Sequence, residues 1–194
     1  MHSWQSLSPV HFKPAGAITT AFLGIAKADL RDAARYVCEL PYGRNSSPTD
    51  PLIVLREQRG TCSTKHALLR RLAIEQELDL ALLLGIYEMT EHNTPRVGPV
   101  LQRHNLIGLP EAHCYLRTGD KRIDVTRTCS ESRGWPIMHF IYEEEIDPNQ
   151  IGDYKTSVHK KFLEKWIADN GGLGGLSLTK IWDIREECIA ELSQ

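Results

Sequence analysis

Cys62, His113 and Asp124 are far apart in the chain, yet they are the residue types that together carry out nucleophilic acyl chemistry. A thiolate attacks a carbonyl carbon, an imidazole moves the proton, and a carboxylate holds the imidazole tautomer and stabilises its cation. Each has an ordinary structural use on its own, because a buried cysteine is usually a small hydrophobe and most histidines and aspartates only pack or solvate. What raises them above that background is where the sequence puts them.

Cys62 lies in the stretch RGTCSTKHALLRRLA, residues 59 to 73. Gly60 permits a tight approach and Thr61 is a candidate N-cap, while Leu68, Leu69, Leu72 and Ala73 supply an apolar helical stripe. The first turn of a helix presents unpaired N–H groups and the positive end of the macrodipole, so a cysteine there ionises below the usual thiol value of about 8.5. Arg59 and Lys65 are expected to add positive charge nearby.

His113 and Asp124 come from HCYLRTGDKRIDVTR, which reads as two strands turning at Gly119-Asp120. A two-residue loop sets Leu116 opposite Ile123, Tyr115 opposite Asp124 and Cys114 opposite Val125. Cys114, Leu116, Ile123 and Val125 then share one face, and His113, Tyr115, Arg117, Arg122, Asp124 and Thr126 the other. This register makes His113 and Asp124 diagonal neighbours. The oxyanion of such a reaction needs N–H or O–H donors; the Cys62 backbone is one candidate, and Gln58 and Tyr115 are others.

At these residues the chain resembles the transglutaminase-like superfamily. Gly60-Thr61-Cys62 before HALLRRLA is similar to the family's cysteine helix, HCYL at His113 to its histidine strand, and Asp124-Val125-Thr126 to its Asp-Pro-Thr strand end. Tyr115 and Val125 depart from the Trp and Pro the family often has there. The resemblance covers about residues 50–128 and implies an α+β, papain-like core with a Cys62–His113–Asp124 triad. It implies a thiol-dependent hydrolase or acyltransferase acting on a protein, peptide or small-molecule acyl substrate, with no cofactor. A fold that has lost turnover and only binds is the alternative. A zinc site is a further one, since Cys62 and His66 stand at i and i+4 and His113 adjoins Cys114, but there is no C-x-x-C pair, and His66 reads rather as a core residue one turn below Cys62.

The elements that must position these residues follow from the rest of the chain. With 194 residues, one domain over 1–194 is long enough for a sizeable core. Ile18, Phe22, Ile25, Leu30, Ala33 and Val37 predict one or two helices before the turn-rich LPYGRNSSPTDP, and LALLLGIY predicts a buried strand. Residues 90–110, rich in Pro and Gly, read as a binding loop, a lid or a surface insertion, and SESRGWP as a further irregular stretch. A helical extension over about 150–194 places Tyr154, Val158, Phe162 and Trp166 on one face of a first helix. In a second helix Leu178, Ile181, Trp182, Arg185, Ile189 and Leu192 do the same, and NGGLGGLS joins the two. His92, His104, His139 and His159 read as surface residues.

A net charge of −2 with interspersed signs argues against a nucleic-acid partner, and no apolar run reaches membrane-span length. Five irregularly spaced cysteines make a poor disulfide framework, so reduced thiols in a cytoplasm are expected. The apolar AGAITTAFLGIA reads as a helix rather than a signal peptide. Oligomeric state is not legible.

Overall fold

The computed structural model describes residues 3–127, 137 and 139–192. Cys129 and the SESRGWP stretch lie outside them. The fold is mixed α+β, with seven α-helices and a four-stranded antiparallel sheet in the order β3-β2-β1-β4 among the described residues. The strands are β1 (Ala81–Thr90), β2 (Gly108–Thr118), β3 (Lys121–Ile123) and β4 (Tyr142–Glu145). The chain divides into two compact units, the first made of residues 1–84, 114–132 and 144–152 and the second of 85–113, 133–143 and 153–194.

The first unit holds α1 (Ala17–Gly24), α2 (Leu30–Glu39), α3 (Ile53–Glu57) and α4 (Cys62–Glu75). Expected helices precede the turn-rich loop, and α4 begins at the cysteine as its sequence predicts. α4 packs against α1, α2 and α3 and is buried all round over its first two turns, from Cys62 to Leu69, rather than only along its leucine stripe. Its last residue serves another helix: α1 has no side-chain cap of its own, and the Glu75 carboxylate accepts from the N–H groups of Ile18 (3.0 Å) and Thr19 (2.7 Å). An anion at a helix N-terminus stabilises it through those N–H groups and the macrodipole.

The β2–β3 hairpin has the expected register, with Leu116 opposite Ile123, Arg117 opposite Arg122 and Thr118 opposite Lys121. Gly119 takes φ +52°, the left-handed conformation a tight hairpin turn demands. Cys114, Leu116, Ile123 and Val125 are all fully buried. The ladder stops at Ile123, so Asp124 lies one residue beyond the strand rather than on it.

In the second unit the Pro/Gly-rich segment is not one long loop. It contains α5 (Gly98–Arg103), and β2 already starts at Gly108. α6 (Asp153–Asp169) and α7 (Leu178–Leu192) are the two expected C-terminal helices, joined through a 3-10 turn at Gly171–Gly175. Leu101, Leu109, Leu163, Ile181 and Ile184 belong to this unit's core. The buried positions of α6 are His159 and Leu163, one residue on from the predicted stripe, and Tyr154 is exposed. His159 is therefore a core residue, not a surface one. Its Nε2 lies 2.8 Å from the Pro110 carbonyl, its ring meets Trp182 at 5.3 Å, and it is 1% exposed.

Candidate functional site

Cys62 is the first residue of α4. Thr61 caps the helix by a reciprocal pair, its hydroxyl accepting from the Thr64 N–H (3.4 Å) while the Thr64 hydroxyl accepts from the Thr61 N–H (3.0 Å). The Thr64 hydroxyl then donates to Asn45 Oδ1 at 2.7 Å, and Asn45 Nδ2 donates to Glu57 and to the Arg59 carbonyl, both at 3.0 Å. Hydrogen bonds from the Ser46 hydroxyl and from Asn45 hold the Glu57 carboxyl at about 2. Gly60 is gripped from the same side, its N–H donating to the Pro41 carbonyl and its carbonyl accepting from the Gly43 N–H, each at 3.2 Å. The approach to the cysteine is thus fixed by backbone and side chain together.

The cysteine is 7% exposed and its Sγ lies 3.8 Å from the Ser63 hydroxyl. Its position, at the positive end of a capped helix, is the one the sequence anticipates. Two buried residues follow one turn along the helix. Lys65, expected to add positive charge near Cys62, is fully buried with its ammonium on the carbonyls of Leu40, Val125 and Thr126. His66, also fully buried, bonds the Cys62 carbonyl through Nδ1 and accepts from the Val125 N–H through Nε2. The sequence does carry a cue to both: they are polar residues standing directly before an apolar helical run.

Asp124 is in the same compact unit. Its Oδ1 accepts from the Thr126 N–H at 2.9 Å and lies 3.6 Å from His66 Nε2, and the side chain is 41% exposed. Tyr115, a candidate oxyanion donor, is 2% exposed with the Arg122 guanidinium over its ring at 5.4 Å. Gln58, the other candidate, has its amide engaged at both ends, Nε2 donating to the Leu55 carbonyl (2.5 Å) and Oε1 accepting from the Tyr36 hydroxyl (2.8 Å). It also takes φ +53°, a strained conformation for a residue with a side chain.

His113 belongs to the second unit, where β2 carries it. It is 6% exposed, with its ring edge-on to Tyr87 (6.0 Å) and stacked on Phe140 (6.4 Å, 15° between planes). Phe140 reaches this position because Gly85 beneath it has no side chain: a Cβ there would meet the phenyl ring at 2.3 Å. Two residues before His113, Glu111 is buried in a two-bond pair with Arg185 of α7 (2.6 and 2.8 Å). Burial pushes the Glu111 carboxyl up, but the adjacent guanidinium outweighs that and brings it to about 2.

The zinc alternative loses one ligand here, because both ring nitrogens of His66 are already engaged, and no group of three or more His, Cys, Asp or Glu able to hold a metal occurs among the described residues. A polar hollow of about 250 Å³ lies elsewhere in the first unit, lined by Arg70, Asp79, Ala81, Arg117, Gly119 and Glu145, none of them a candidate residue. Cys38, Cys62, Cys114 and Cys188 are buried and form no disulfide among the described residues. No helix among the described residues is long and apolar enough to cross a membrane. Comparison with protein-family models, with curated proteins and with solved structures gives no match.

Proposed function

We propose that the chain is a thiol-dependent acyl-transfer enzyme of the transglutaminase-like type, a hydrolase or acyltransferase acting on an amide or related acyl bond. One observation supports this above all: Cys62 opens a capped helix whose second turn is hydrogen-bonded to the turn that carries Asp124. In this reading the Cys62 thiolate adds to the carbonyl carbon, and the His113 imidazolium gives its proton to the leaving amine as the C–N bond breaks. A thioester remains on Cys62. Water or an acceptor amine then attacks it, His113 takes the attacking group's proton, and the thiolate leaves. Asp124 stabilises the imidazolium, and the residues present require no cofactor for this chemistry.

The test is iodoacetamide labelling of the full chain against pH, mapped by mass spectrometry. Cys62 is expected to label with a midpoint well below an ordinary thiol and faster than the other cysteines. Cys188 is the internal reference, since burial and the Glu111 and Glu187 carboxylates push its thiol up to about 12. A panel of amide, ester and thioester substrates should be turned over by the native chain and not by Cys62→Ala. Labelling of Cys62 no faster than Cys188, with no turnover, removes the nucleophile assignment and leaves a binding module.

A further inference from the structure

The turn after Asp124 is fastened by two side chains that leave α4 at consecutive positions. Lys65 Nζ donates to the carbonyls of Leu40 (2.5 Å), Thr126 (3.1 Å) and Val125 (3.4 Å). His66 Nδ1 is 2.7 Å from the Cys62 carbonyl, where it can only donate, and Nε2 accepts from the Val125 N–H at 2.9 Å. A single imidazole meets both demands only as the neutral Nδ1–H tautomer. Nε2 then has no proton for Asp124 Oδ1, 3.6 Å away, and that oxygen takes the Thr126 N–H instead. The Asp124 N–H and carbonyl are both bonded to the Ser3 hydroxyl, at 2.9 and 3.0 Å. Every peptide group from Asp124 to Thr126 is therefore held, half of them by the fully buried Lys65 and His66.

The three N–H donors of the ammonium match the three carbonyls, which a neutral amide with two donors could not do, and its burial is costly unless it is satisfied in this way. What the ammonium adds is positive charge inside the protein one helical turn beyond Cys62, joined to the strap that holds Asp124. We propose that Lys65 and His66 are positioning residues for the Cys62 reaction: from the nucleophile's own helix they fix the Asp124 carboxylate and the Cys62 carbonyl in one rigid unit. The inference rests on the reading of Cys62 and Asp124 as parts of one catalytic site.

The experiment compares iodoacetamide labelling of Cys62 against pH in the full native chain, Asp124→Asn, His66→Phe, His66→Gln, Lys65→Met and the His66→Phe/Asp124→Asn double variant. The native protein is also examined by ¹⁵N NMR of the His66 ring. The expected spectrum has a protonated Nδ1 and a bare Nε2. Asp124→Asn, His66→Phe and Lys65→Met each raise the labelling midpoint, with labelling near neutral pH slowed roughly tenfold for each unit of that rise. His66→Gln, which keeps an acceptor for the Val125 N–H, recovers part of the loss, and the double variant shifts no further than Asp124→Asn. Unchanged midpoints in His66→Phe and Lys65→Met, additive shifts in the double variant, or a proton on Nε2 would each overturn the clamp. If His66→Phe fails to fold, His66→Gln and the native spectrum decide. A native Cys62 that labels as an ordinary thiol, with Asp124→Asn silent, instead brings down the acyl-transfer reading and this inference with it.

Discussion

Asp124 stands one residue past the end of β3, and that step governs what a substitution there will do. Its carboxylate is a turn acceptor for the Thr126 N–H as well as a charge. Asparagine retains the acceptor and removes only the charge. Asp124→Asn is therefore expected to leave stability in urea within about 0.5 kcal/mol of the native value, while turnover by the proposed reaction falls by roughly 10²-fold or more. A comparable loss of both would assign Asp124 to the turn alone. The register around it was legible because Gly119-Asp120 fits a two-residue loop and the apolar residues agree on one face. The exit of Asp124 from the ladder was not, since periodicity says which face a residue takes while a strand lasts and nothing about a side chain that bonds its own backbone two residues on. The burial of Lys65 was hidden for a related reason. Composition places lysine outside, and only tertiary carbonyls from Leu40, Val125 and Thr126 make an interior site for it.

The elements carrying the site each depend on a local device. α4 opens with the Thr61–Thr64 capping pair, and Thr61→Ala should lower stability by about 1 kcal/mol in urea denaturation. It should also slow Cys62 labelling by loosening the first turn. β1 depends on Gly85, whose missing Cβ lets Phe140 lie against the strand and stack on His113. Gly85→Ala is expected to cost about 1–3 kcal/mol through overpacking, and a Phe140→Ala background should relieve most of it. If the cost persists without the phenyl ring, the backbone rather than the packing is at fault. α4 and the two C-terminal helices could be read from cap and period, whereas β2 was read five residues short. Gly108 and Pro110 look like breakers, but Pro110 sits within β2 and its carbonyl meets the buried His159. That histidine's place was hidden because a helix face centred one residue further on has nearly the same periodicity.

For the molecule as a whole, the Glu111–Arg185 pair and His159 set the response to acid. Burial disfavours the His159 cation and lowers its pKa from the ordinary 6.5, so stability is lost as pH falls below that value and the unfolded chain takes up the proton first. Glu111, brought from 4.5 to about 2, adds a second loss as pH falls between those values, on the order of 3 kcal/mol in all. Melting temperature against pH should therefore fall in two stages, and Glu111→Gln should diminish the lower one, to which the Glu57 carboxyl also contributes. The same substitution should cost about 3 kcal/mol at neutral pH, because it leaves the buried Arg185 charge with only the half-buried Glu186 carboxylate. A melting curve that is level from pH 7 to 3 would contradict both assignments. The α+β class was visible in the order of helical and alternating segments, but the division into two units was not, because each is assembled from separated stretches of sequence. That interleaving has a consequence during synthesis. When residue 84 has left the ribosome, Cys62 and its helix are already made, yet the carbonyls that receive the Lys65 ammonium from Val125 and Thr126 do not exist for another forty or so codons. Until then the nascent chain carries a lysine destined for the interior with only part of its cradle, and no contiguous fragment ending there can be expressed as a finished first unit.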